Sequence, residues 1–195
     1  RTAARMYLFF DTETTGIPRN YKAPASDLRN WPRMVQLAWL LADEEANEIA
    51  SAEYLVRPDG FTIPKDAARI HGITTEMAAK NGIDLKSILS GVTPYIQKAS
   101  VLIAHNMQFD EKILGAELLR TGCPNLVETK ERQCTMQGST NYCRLPGPYG
   151  YKWPTLQELY WKLFNERFEG AHRALIDVRA CAKCYFELRR LKVMA

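Results

Sequence analysis

The chain has 195 residues, 46 % of them apolar or aromatic and 25 % charged, with a net charge of +4 at pH 7. These proportions suit one soluble globular domain spanning 1–195 with a sizeable core. No apolar run approaches membrane-spanning length and no leader pattern is present, which excludes a membrane span and argues against secretion. The weakly basic charge permits a polyanionic partner without requiring one. Five cysteines, an odd number without scaffold-like spacing, fit a reducing cytoplasm. Arg1 is not an initiator residue, so residues 1–5 are read as an end remnant or a disordered segment outside the fold.

Met6 to Phe10 is a continuous apolar, aromatic-rich run, which predicts a strand buried on both faces. It ends abruptly in Asp11-Thr12-Glu13-Thr14-Thr15-Gly16. Residues 17–33, punctuated by Pro18, Pro24 and Pro32, read as a long loop of the kind that is often functional. Met34–Ala42 and Ile49–Val56 predict two more strands, joined through a turn at 43–47 into an antiparallel meander beside the first. Pro64–Ile70 and Glu76–Lys80 predict short helices, the second capped by Thr75. Asp84–Gln97 predicts a longer one, weakened by Gly91 and Pro94. Val101–Ala104 is a short apolar strand, and Met107–Arg120 a helix that Gly122 stops.

Residues 123–154 read as irregular, with at most one further strand and a second half rich in glycine, proline and aromatic residues. Thr155 and Glu158 predict a capping box for a helix running to about Asn165, and Ala174–Leu191 predicts the last helix. Cys181 and Cys184 fall inside that helical pattern and lack a second ligand pair, so they read as core cysteines rather than zinc ligands. The order of elements predicts an α/β layer fold with a mixed sheet and flanking helices.

A buried strand finishes in Asp-x-Glu only where that end opens onto something that offsets the charge. Asp11 and Glu13 are two residues apart, so in an extended chain both side chains leave the same face. Adjacent carboxylates repel unless a cation lies between them, and hard cations such as Mg²⁺ prefer oxygen ligands. Half of a metal site is therefore expected here, against the plainer reading of an acidic turn capped by threonines. Two further acids sit in the first turns of helices, Asp110 after the apolar strand and Asp177 in the last helix. Either alone would read as a favourable charge at a helix start. Together with the strand-end pair they suggest convergence in a crevice where loops meet.

The blocks Asp11-Thr12-Glu13-Thr14-Thr15-Gly16, His105-Asn106-x-x-Phe109-Asp110 and His172-x₄-Asp177 resemble the three motifs of the DEDD 3′→5′ exonucleases, in the subgroup with a histidine before the last aspartate. The polymerase-associated epsilon-type proofreading nucleases exemplify that subgroup, and Ile70-His71-Gly72-Ile73-Thr74 is also similar to a segment common there. The likeness spans Tyr7 to about Ala182. It implies a ribonuclease-H-like α/β fold with a mixed sheet. It also implies two Mg²⁺ or Mn²⁺ ions per active site, Asp11 bridging both, Glu13 and Asp177 completing one position and Asp110 serving the other. His172 would deprotonate the attacking water, since a free imidazole, titrating near pH 6.5, is largely neutral at mildly alkaline pH.

The implied substrate is a nucleic acid with a free 3′ end, DNA favoured over RNA, released as nucleoside 5′-monophosphates in a proofreading or repair setting. Thr14, Thr15 and Gly16 are expected at its terminal sugar, and Ile17, Ile70, His71 and Phe109 at its base and sugar. For Ile17, Ile70 and Phe109 the competing reading is ordinary core. For His71 it is a satisfied structural histidine, which is the preferred reading of His105. Tyr142, Tyr149, Tyr151 and Trp153 either stack on single-stranded bases or anchor the long loop. Arg173, Arg179, Arg189, Arg190 and Lys192 read as a mostly solvated face. With no tail after the last helix, stable polymerase association is not expected. A stand-alone trimming nuclease and a domain of a longer chain fit equally. Two rivals remain: a phosphatase with an aspartyl nucleophile, and a nucleic-acid-binding module that kept the fold without the chemistry.

Overall fold

The computed structural model describes residues 3–195. Within the leading segment, residues 1 and 2 lie outside the described part, and Arg5 pairs with Glu131 at 3.0 Å. Five strands form the main sheet: β1 (Tyr7–Thr14), β2 (Met34–Ala42), β3 (Glu48–Leu55), β4 (Val101–Ala104) and β5 (Glu131–Cys134). Their order is β3-β2-β1-β4-β5, with β1 antiparallel to β2 and parallel to β4. The sheet is therefore mixed, with its central strand carrying the Asp-x-Glu pair. β1 does not stop at the carboxylates. It stays extended through them, with Asp11 opposite Ala38 and Glu13 opposite Gln36, and its register shifts only after Glu13.

Alternation along β1 sorts its side chains into two layers. Leu8 and Phe10 pack with Ile88, Leu89, Val92 and Ile96 of α3 (Leu85–Lys98) and with Ile113 and Leu114 of α4 (Met107–Arg120). Tyr7 and Phe9 pack on the other side with Val178, Cys181 and Tyr185 of the last helix (Ala174–Arg190). Each such side chain, fully buried, stabilises the fold by roughly 1.5–3 kcal/mol. Cys181 and Cys184 are both buried, Cys181 in the second of these layers, in agreement with the core reading. No helix among the described residues is long and apolar enough to cross a membrane.

Pro94 does not break α3. The carbonyl that loses its donor belongs to Ser90, which is exposed to water, and Thr93 Oγ1 bonds back to the Leu89 carbonyl at 2.7 Å. The two short helices expected before it are α1 (Lys65–His71) and α2 (Thr75–Asn81), the latter capped by Thr74 rather than Thr75. Residues 123–154 are more regular than their composition suggests. β5 completes the sheet edge and two single-turn helices follow, α5 (Thr135–Gly138) and α6 (Thr140–Cys143). A small hairpin then pairs β6 (Pro146–Gly147) with β7 (Gly150–Tyr151). The Thr155–Glu158 capping box is formed and opens α7 (Leu156–Phe164), leaving the last helix as α8.

Candidate active site

The end of β1 opens into a cavity of about 440 Å³ lined by Asp11, Thr12, Glu13, Asp110, His172 and Asp177, among others. Asp11 and Glu13 leave the strand on the α8 side, where carboxylate oxygens of Asp11, Glu13 and Asp177 all lie within 4.8 Å of one another. Thr12 leaves on the α4 side and donates a 2.7 Å hydrogen bond to Asp110 Oδ1. One strand end thus presents acids to one helix and a hydroxyl to the other, and both helices answer with an aspartate.

Each of those helices starts behind a residue in the left-handed region, Asn106 (φ 86°) before α4 and His172 (φ 72°) just ahead of α8. Such conformations cost roughly 1–3 kcal/mol for residues other than glycine and gather at functional sites. At His172 the strained turn aims its backbone N–H at both oxygens of Asp177, at 3.1 and 3.3 Å. The imidazole itself stays exposed and lines the cavity.

The electrostatics are those of a cation site. Burial, followed by the neighbouring charges of Asp110, Glu13 and Asp177, holds the Asp11 carboxyl well above the usual carboxylate range. Burial and then Asp177 push Glu13 up to about 7. Burial pushes Asp177 up to about 6, against the backbone N–H and charge of His172. Asp110 is raised chiefly by burial, with the Thr12 hydroxyl pulling the other way. Four acids raised by burial, three of them further by a neighbouring carboxylate, are relieved by a divalent ion, and oxygens within 4.8 Å of one another are spaced to share one. The donor set is all oxygen, which suits Mg²⁺ or Mn²⁺. Asp110 stands outside the three-acid cluster, tied to Thr12.

The expected substrate residues divide. Phe109 lines the cavity while packing partly against the core. Thr14, Thr15, Gly16, Ile17, Ile70 and His71 are not among the residues that line it. Thr14 Oγ1 donates to the Gly16 carbonyl at 2.8 Å, and the Thr15 backbone N–H reaches the Arg33 carbonyl at 3.0 Å. His71 accepts the Ile73 N–H at Nδ1, which places its proton on Nε2, facing the Thr14 carbonyl at 3.1 Å. Burial lowers its pKa, consistent with a neutral ring. Ile17 and Ile70 are 76 % and 68 % exposed, so the core reading fails for both.

His105 has a structural role. It bonds Thr135 Oγ1 and the Pro154 carbonyl, both at 2.9 Å, and so ties the strand end to α5 and to the segment before α7. Burial pushes it down to about 4, so it stays neutral. Among the cationic positions of α8, Arg179 pairs with Glu48, Arg190 with Glu187, and Arg189 bonds the Tyr7 hydroxyl.

Sequence reading missed Thr12, Gln157 and Phe168 as cavity residues. Gln157 grips the Phe168 backbone from both sides, donating to its carbonyl at 3.0 Å and accepting its N–H at 3.1 Å. That clamp holds the turn leading to His172. The available signal was its place two residues after the Thr155 cap, at a helix start facing the cleft.

The sequence model of the RNase_T family, described as exonuclease, matches residues 8–185. The DNA polymerase III epsilon subunit of Treponema pallidum (strain Nichols) is 36 % identical over 176 residues, covering 90 % of this chain and 73 % of that protein. Among solved structures, Escherichia coli exonuclease I in a complex with single-stranded DNA superposes with a TM-score of 0.74 at 20 % identity, over 97 % of this chain and 41 % of that one. Exonuclease I of Methylocaldum szegediense gives a TM-score of 0.73 at 22 % identity, over 95 % of this chain and 40 % of that one. The chain thus spans about two-fifths of these exonuclease I chains, and at such identities the likeness shows the fold. The phosphatase alternative falls with these findings. The chain belongs to the RNase_T exonuclease family, the 3′→5′ exonucleases that its three acidic motifs resemble.

Proposed function

We propose that the chain removes nucleotides one at a time from a free 3′ end of single-stranded DNA, with RNA as the second polymer to test, releasing nucleoside 5′-monophosphates. The observation that carries this reading is the three-acid cluster of Asp11, Glu13 and Asp177, with Asp110 and His172 on the same cavity. Asp11, Glu13 and Asp177 would hold one divalent cation, and Asp11 with Asp110 a second; when bound, the pair supplies charge stabilisation to an in-line displacement at phosphorus.

The residues do the rest. His172, exposed at the cavity wall, accepts the proton of the attacking water. Asp177 fixes the turn that presents it by accepting the His172 backbone N–H. Thr12 orients Asp110. Thr14, Thr15 and Gly16, with His71 behind Thr14, face the terminal sugar, and Ile17, Ile70 and Phe109 the terminal base. The likeness to the Treponema DNA polymerase III epsilon subunit supports reading this as a trimming role of the proofreading or repair type.

The test uses 5′-labelled single-stranded DNA and RNA of matched sequence with Mg²⁺ or Mn²⁺. Stepwise shortening from the 3′ end, lost with chelator and in Asp11→Asn, supports the proposal. Cleavage of a closed circular strand overturns it.

A further inference from the structure

The hairpin β6–β7 presents an aromatic surface that the fold does not need. Tyr149 is wholly exposed, Tyr151 is 52 % exposed and Trp153 is 57 % exposed. Only five aromatic side chains are more than half exposed among the described residues, and three of them lie within this five-residue stretch. A fourth, Trp161, sits on the neighbouring α7. Large rings left in water gain nothing on folding, and a cluster of them marks a contact surface. The sequence alternative, that they anchor the loop, holds for Tyr142, which lies under Lys162 with the ammonium 5.6 Å from its ring centre, but not for these three.

The base of the hairpin is tied to the helix that borders the cleft. The Lys152 N–H reaches the Leu145 carbonyl at 2.9 Å, and Lys152 Nζ pairs with Glu158 at 2.7 Å. Glu158 also accepts the Thr155 N–H, and Thr155 lines the cleft. Along α7 lies a hollow of about 280 Å³ lined by Leu145, just before the hairpin, and by Trp161, Lys162 and Arg167, among others, and Gln157 is shared between this hollow and the cleft. Neither Lys162 nor Arg167 forms an ion pair among the described residues. A chain leaving the cleft past Gln157 therefore meets these cations, and the exposed rings stand in the segment that runs from Leu145 at the hollow to Thr155 at the cleft. Interleaved cations and stacking faces recognise single-stranded nucleic acid without regard to sequence.

We propose that the hollow and the hairpin form an upstream strand track. Bases 5′ of the scissile nucleotide stack on Tyr149, Tyr151 and Trp153, while Lys162 and Arg167 take the phosphates between. This rests on the reading that the 3′ end occupies the cleft.

The test separates the two ideas. Thymidine 5′-(4-nitrophenyl phosphate) reports the cleft alone, whereas fluorescein-labelled oligothymidylates of about three and twelve nucleotides, bound in chelator, report the track. In the variant Tyr149→Ala/Tyr151→Ala/Trp153→Ala, turnover of the small ester stays at the wild-type rate while affinity for the twelve-nucleotide strand falls about tenfold or more. Affinity for the three-nucleotide strand changes little. Lys162→Ala/Arg167→Ala flattens the slope of log affinity against log salt by about 1.4. Tyr149→Ala alone, a ring with no packing to lose, weakens the long strand without changing Tm and so guards against misfolding. Wild-type affinity for the long strand in both the triple variant and Tyr149→Ala overturns the track, and marks the surface as a protein contact instead. A wild-type chain that turns over neither substrate but binds the long strand through these rings would sink the catalytic reading and leave the track standing.

Discussion

Thr12 Oγ1 donates a buried 2.7 Å hydrogen bond to Asp110 Oδ1, joining the central strand to the helix on its other side. The bond selects which Asp110 oxygen remains free to face Asp11. A hydrogen bond to a charged partner contributes about 1.5–3 kcal/mol. Thr12→Val is therefore expected to lower kcat by about one to two orders of magnitude, with the fold intact by circular dichroism, and Thr12→Ser to restore most of it.

The carboxylates oppose folding in the absence of a cation. Glu13 is raised from 4.5 to about 7 and Asp177 from 3.8 to about 6, each first by burial. Between these values the folded chain holds protons that the unfolded chain has released. Stability is then greatest at low pH and falls as pH rises through about 6 to 7. His105, pushed down to about 4, slopes the opposite way and loses stability as pH falls below its unfolded value of 6.5. The comparison is therefore wild type against Glu13→Gln, in which the His105 contribution cancels. In chelator the wild-type Tm is expected to drop relative to Glu13→Gln from pH 6 to 8, and added Mg²⁺ to reverse the order.

Asp11→Asn separates stability from activity. Removing the charge that three acids surround should raise the metal-free Tm by a few degrees. The same change should abolish nucleotide release and most of the Mg²⁺-dependent shift in Tm. A variant that loses activity while keeping the full metal-dependent shift would argue against Asp11 as a ligand.

His172→Ala should cost ~10²–10⁴ in kcat, the usual range for a general base, while leaving Mg²⁺ stabilisation in place. Gln157→Ala should lower kcat more modestly, because the Phe168 backbone loses both bonds that hold the turn. Faster hydrogen exchange confined to about residues 166–172 would show that the loss acts through the loop.

Glu117 is a buried acid away from the cavity, held by Arg33 at 2.8 Å and by Arg120. Its carboxylate also faces the Met34 N–H at 3.4 Å. Glu117→Ala leaves two guanidinium groups without their partner, and a loss of about 3–5 kcal/mol in unfolding free energy is expected, read from urea titrations.

The sheet and its helices were legible because their signals are local. β2 and α4 carry apolar patterns with clear stops, and the Thr155–Glu158 box marks α7 by itself. The acids were legible as a set because three motifs stand at element ends. What was not legible depends on packing across the sheet. β5, with Glu131, Arg132 and Gln133 along four residues, is a polar edge strand whose pattern carries no apolar period. Thr12 looked like a spacer between two acids, and only the second helix gives its hydroxyl a purpose. For Ile17 and Ile70 the substrate expectation stood beside a core reading that only their exposure removes, because composition cannot tell an exposed apolar side chain from a packed one.

The alternation along β1 also makes the centre sensitive to parity. One residue inserted between Phe9 and Phe10 would rotate everything downstream by half a turn, sending the two acids toward α4 and the hydroxyl toward α8. Composition, net charge and motif would all survive such an insertion, and the groups would still be neighbours in the chain. Only their handedness about the strand would be lost, so homologues with altered loops are easy to imagine, whereas length changes of a single residue inside this strand should be absent from working enzymes.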